Sequence, residues 1–188
     1  MKIALDAGHG ARGSSDHTGA AANGLVEDEI ALDLVERIGH HLRLAGHKTV
    51  LTRSNENMVA LSSRGKKAVA ESCDLFLSIH CNAGPSTAQG VEAFVAAQDS
   101  RGAKFAKTLV GYVVAKGMRS RGVKWDSQSQ HSSLRVLRDT YKYMPAVLLE
   151  VGFLTNSSDA KHLKDKFFRE ALAIDIAKAC VQAANDQE

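Results

Sequence analysis

Short strand-like apolar runs alternate with helical apolar stripes along the whole of this chain. Residues 2–6 read as a strand, and Asp28 to Ala45 as a helix with Ile30, Leu34, Ile38 and Leu42 at i+4 spacing. Gly46 stands just past the last apolar residue, where such a helix ends. His47 to Thr52 follows as a strand, Val59 to Ser72 as a helix, and Asp74 to His80 and Gly90 to Ala96 as strands. Arg101 to Gly117 is helical, and Asp126 to Ser133 is a polar loop. A short strand at Leu134 to Leu137 and a buried one at Ala146 to Val151 come next. Lys166 to Ala184 closes as a helix with Phe168, Leu172, Ile176 and Cys180 on one stripe. Strands separated by helices of about ten or more residues need crossover connections, which favour a parallel sheet covered on both faces. The expected fold is α/β: a single domain over 1–188, with a twisted, mostly parallel sheet flanked by helices on both faces. No repeat, low-complexity tract or linker interrupts it.

A chain of 188 residues is large enough to bury a real core, and 44% hydrophobic with 24% charged residues is ordinary for one globular domain. The formal charge of +3 comes with no basic run and no RNA-binding aromatic motif, so nucleic acid is not an expected partner. Nothing approaches the ~18 apolar residues of a membrane span, so no membrane association is expected. The three cysteines, Cys73, Cys81 and Cys180, are too few and too scattered for a disulfide framework or a CxxC site. Cys81 directly follows His80, but neighbours on a strand point to opposite faces, so it reads as a structural thiol.

The chemistry concentrates at strand ends. His9 closes the run Lys2-Ile3-Ala4-Leu5-Asp6-Ala7-Gly8, and His80 closes Leu75-Phe76-Leu77-Ser78-Ile79. Open α/β sheets place their crevice outside the carboxyl ends of the strands. Zinc in hydrolases takes three protein ligands and keeps one position open, so two imidazoles there leave one ligand to find. Glu27, Asp28 and Glu29 all stand at the entry to the first helix, where acids also serve the helix dipole, and spacing alone does not choose among them. Glu150 interrupts the apolar run Ala146 to Phe153. A carboxylate buried there without a partner has a raised pKa, as a general base requires. The structural alternative is an ion pair with Arg135 or Arg138. Gly8-His9-Gly10 lacks both GxGxxG and a Walker lysine, which argues against nucleotide binding.

The segments DAGHG at 6–10, NGLVE at 23–27, LTR at 51–53, SIHCNA at 78–83, GVE at 90–92, VLR at 136–138 and PAVLLEVGFLTN at 145–156 occur in order. Together they resemble the zinc-dependent N-acetylmuramoyl-L-alanine amidases, the type-3 amidase family of peptidoglycan hydrolases. The resemblance runs from about Ile3 to the last helix. It implies one Zn2+ per chain, held by His9, Glu27 and His80, with Glu150 as catalytic acid/base. It implies hydrolysis of the amide between N-acetylmuramic acid and L-alanine, by a cell-wall lytic enzyme such as an endolysin or autolysin, with peptidoglycan as partner. Asn82, Arg64 and Arg138 match positions expected to support the site or touch substrate, although packing and ion pairing also account for Arg53 and Arg64. Some members carry an inhibitory helix near the site. Neither Ala83 to Gly90 nor the stretch after Gly117 leaves room for one, so a constitutively open site is expected, and no obligate protein partner is evident. Met1 leads straight into the first strand without an h-region. The expectation is either a protein made without a signal peptide and cytoplasmic until released, or the mature part of an exported one, acting in both cases at the cell wall. The competing readings are a zinc peptidase acting on another amide and a wall-binding module without catalysis.

Overall fold

In the computed structural model, residues 1–10, 18–55 and 57–185 are described. The strands are β1 (Lys2–Ala7), β2 (Ala21–Ala22), β3 (Leu25–Val26), β4 (Lys48–Leu51), β5 (Leu75–Asn82), β6 (Val91–Val95), β7 (Ser120–Trp125) and β8 (Ala146–Phe153). The helices are α1 (Glu27–Leu44), α2 (Leu61–Ala70), α3 (Ser100–Val114), α4 (Arg135–Arg138), α5 (Ser157–Lys164) and α6 (Lys166–Asn185). Six strands form one sheet in the order β4-β1-β5-β8-β6-β7. Every neighbouring pair is parallel except β6 with β8. The expected α/β fold, mostly parallel and covered on both faces, is what the chain forms.

Strand alternation sorts the core into two layers. Ile3, Leu5, Leu75, Leu77, Ile79, Val147, Leu149 and Val151 pack with α1, α3 and α6 into the larger core. Ala4, Phe76, Ala146, Leu148 and Phe94 point to the other face, under Ala68 of α2 and Val136 and Leu137 of α4. Each fully buried Leu, Ile or Phe contributes ~1.5–3 kcal/mol, so the larger layer carries most of the stability. Toward the strand ends the second face changes character: Asp6, Ser78, His80, Asn82, Glu92 and Glu150 replace its apolar residues. The polar row begins where the cover of α2 and α4 stops.

Helix α1 carries Glu27, Asp28 and Glu29 in its first turn and His41 and Arg43 in its last, both favourable to the helix dipole. It ends at Gly46, where the Gly46 N–H reaches the Arg43 carbonyl and the His47 N–H that of Leu42. The expected strand at Leu134 to Leu137 is instead the helical turn α4. Val136 and Leu137 are consecutive and both enter the same core layer, which a strand forbids and a helix permits. Arg138 N–H bonds the Leu134 carbonyl at 3.1 Å. Strand β7 is an edge strand whose Arg121, Gly122 and Lys124 mask its periodicity. Helix α5 is announced only by its cap, Asn156, whose side chain accepts from Ser158 and Asp159 N–H. Among the described residues no helix is long and apolar enough to cross a membrane.

Candidate metal centre and active site

Past β1 the chain turns at His9, whose φ of +57° is left-handed and costs a non-glycine residue ~1 kcal/mol or more. Two buried arginines hold this turn. Arg64 donates to the Ala7 and His9 carbonyls at 2.6 and 2.5 Å, and Arg53 to the Ala7 and Gly8 carbonyls at 3.1 and 2.8 Å. Asp6 anchors Arg64 at 2.9 Å and also accepts from Thr52 and Ser78. Burial opposes ionisation of Asp6, but Arg64, Ser78 and Thr52 outweigh it and hold the carboxyl below its usual range. Arg64, expected to support the site or touch substrate, therefore acts on the backbone that carries His9. Gly8 has a separate reason to be glycine: a Cβ there would lie 2.5–2.7 Å from the His80 ring.

Glu27 is delivered by a hairpin. Asn23 and Gly24, at φ +53° and +71°, form the two-residue turn between β2 and β3, and β3 runs directly into α1. Glu27 is the first residue of that helix, and its Oε2 accepts from Ala20 N–H at 2.8 Å. Its Oε1 faces both imidazoles, 3.1 Å from His9 Nε2 and 2.9 Å from His80 Nδ1. Asp28 and Glu29 are not in this cluster, and Glu29 is exposed. The tertiary arrangement thus separates three acids that spacing left equivalent. Ligand atoms of His9, Glu27 and His80 lie within 4.8 Å of one another. The Glu27 side chain is 5% exposed, His80 19% and His9 32%, so the cluster opens to solvent on the His9 side. Burial works against the Glu27 carboxylate, yet hydrogen bonds and charge from His80 and His9 hold it well below its usual range. Two imidazole nitrogens and a carboxylate oxygen, partly open to solvent, suit zinc with three protein ligands and a free position.

Glu150 lies directly opposite His80 in the β5–β8 register, and Glu92 lies opposite Glu150 across β6. The Glu150 Oε2 is buried and has no hydrogen-bond partner among the described residues. Burial first, and the negative charges of Glu27 and Glu92 second, push its pKa well above the usual carboxylate range. The alternative ion pairs do not form, since Arg135 bonds Asp139 and Arg138 bonds Asp126. Arg138 thus joins a residue outside the cluster. Asn82 donates to Glu92 at 2.6 Å, and Glu92 also accepts from Arg121 at 2.7 Å and Lys124 at 2.5 Å. Burial opposes the Glu92 charge, and the two cations outweigh it and lower its pKa. Glu92, Arg121 and Lys124 were not among the expected site residues. Glu92 stood within the GVE segment, but its two cations belong to a strand the sequence conceals. Cys81 is buried in the larger core with its thiol pKa pushed up by burial, as strand alternation predicts.

The model of the N-acetylmuramoyl-L-alanine amidase family Amidase_3 matches residues 3–182. The chain belongs to this family. The amidase LytC of Bacillus subtilis is 37% identical over 91% of the chain and 33% of its own length. An endolysin of Bacillus phage SPP1 is 34% identical over 96% of the chain and 65% of its own length. The chain therefore spans about a third of the one relative and just under two thirds of the other. Among solved structures, the catalytic domain of CwlV, an N-acetylmuramoyl-L-alanine amidase from Bacillus (Paenibacillus) polymyxa, superposes with a TM-score of 0.85. It is 30% identical, with 98% of each chain covered. The cluster described above therefore sits in an amidase-family domain.

Proposed function

We propose that the chain is a single catalytic domain that hydrolyses the amide between N-acetylmuramic acid and L-alanine in peptidoglycan, with one zinc ion held by His9, Glu27 and His80. The observation that carries this reading is the unpartnered Glu150 opposite His80, beside a three-ligand donor set. Family membership supports the choice of bond.

Held by His9, Glu27 and His80, a zinc ion would supply Lewis acidity to the scissile carbonyl and would lower the pKa of a water toward ~7. The residues do the rest. Glu27 supplies negative charge between the imidazoles, while its bond from Ala20 N–H orients the carboxylate. Arg53 and Arg64 fix the His9 backbone. Glu150 accepts the proton of the attacking water and returns it to the nitrogen of L-alanine as the C–N bond breaks. A carboxyl with a raised pKa suits both transfers, because it takes the proton readily and still delivers it to an amine.

The test is digestion of purified peptidoglycan with zinc-loaded protein, analysed by mass spectrometry beside a chelated control. Free stem peptides beginning in L-alanine, lost on chelation and restored by Zn2+, are expected. Cleavage inside the peptide makes the chain a zinc peptidase instead. Intact sacculi with retained binding make it a wall-binding module.

A further inference from the structure

We propose that Arg121, with Lys124 beside it, forms a subsite for a carboxylate of the stem peptide on the leaving-amine side of the scissile bond. The inference rests on the amidase reading for its polarity. His80, Glu150 and Glu92 stand side by side on three adjacent strands, and the cations of β7 close the row. A group that protonates the leaving nitrogen must face it, so the peptide leaves the Glu150 side, away from His9 and His80. That direction leads over β6 to Arg121 and Lys124.

The cation pair is built for a further anion. Glu92 is one carboxylate against two cations, which leaves a surplus positive charge. The Arg121 guanidinium is held in plane by its Nε bond to Glu92 and by Phe153, whose ring centroid lies 4.9 Å from it. The side chain is 34% exposed, and its two terminal nitrogens make no hydrogen bond among the described residues. With Nε occupied, those nitrogens present the end-on edge of the fork, which matches a carboxylate bidentately. Strands lie about 4.8 Å apart, so the row from Glu150 to the cations spans one to two spacings. Two peptide residues extend about 7 Å, which brings an acidic residue following L-alanine within reach of the fork.

The discriminating ligand is the residue after L-alanine, as free D-glutamate or as its amidated counterpart. Calorimetry of the zinc-loaded protein with the tripeptide L-Ala-γ-D-Glu-L-Lys, and with the same peptide carrying D-isoglutamine, reads binding without turnover. The unmodified protein is expected to bind the acidic peptide about ten-fold more tightly, the worth of one charge-assisted fork. Arg121→Gln is expected to abolish that preference while keeping the affinity for the amidated peptide. Arg121→Lys is expected to restore part of it, which excludes a merely misfolded variant. Equal affinities in the unmodified protein, a preference that survives Arg121→Gln, or equal losses for both peptides would overturn the proposal. A preference without release of L-alanine peptides from sacculi sinks the amidase reading alone and leaves the carboxylate subsite standing.

Discussion

Glu150 occupies a position in β8 where an apolar side chain costs less, because its buried Oε2 has no compensating bond among the described residues. On the proposed reading, that stability is given up for proton transfer. Glu150→Gln keeps the shape and removes the proton carrier, so turnover is expected to fall by about 10²–10⁴-fold. Zinc content should stay unchanged and the melting temperature should not fall, since the amide keeps the side chain's volume and replaces an oxygen that already lacks a partner among the described residues. His80→Ala is expected instead to lose the metal. Wild-type turnover in Glu150→Gln, measured beside zinc content on the same samples, would falsify the proton-shuttle role.

Among elements, the buried Asp6 carboxylate is the clamp. It joins β1 to Thr52 after β4, to Ser78 of β5 and to Arg64 of α2, and through Arg64 it sets the His9 turn. Asp6→Asn leaves Arg64 buried with a weakened partner and is expected to cost ~3–5 kcal/mol. The folded carboxyl titrates below its ordinary value of 3.8, so its contribution is complete above that value and drains away as pH falls. Denaturant melts between pH 7 and 2.5 should show the unmodified protein losing stability more steeply below about pH 4 than Asp6→Asn does. Parallel curves for the two proteins rule the clamp out.

At the scale of the whole molecule, the three thiols report on the core. Cys73, Cys81 and Cys180 are all buried, and burial pushes the Cys73 thiol up to about 11 and the Cys180 thiol up to about 12. Thiolate is the reactive form, so the native protein should be silent to Ellman's reagent at pH 8, with three thiols appearing on denaturation. Native labelling of any one at the denatured rate would show that its layer opens without global unfolding. The same core sets the geometry of the site. Both layers end near the same strand tips, and the polar row begins where the smaller layer stops.

The alternation of period-2 runs with 3.6-period stripes determined the fold class, since only crossover connections join such elements and they impose a covered parallel sheet. It also placed His9 and His80 toward strand ends and Glu150 inside a buried strand, because a strand's face and extent follow from counting residues. Cys81 was legible in the same way. What counting does not supply is which residues meet across strands distant in sequence. The choice of Glu27 over Asp28 and Glu29 depended on how a hairpin enters α1, and the solitude of Glu150 depended on where Arg135 and Arg138 turned. Strand β7 was hidden because an edge strand needs little apolar pattern to pair, and with it went the cations that hold Glu92. Local periodicity is written in neighbouring residues, whereas partnership among charges is decided by packing between elements far apart in the chain.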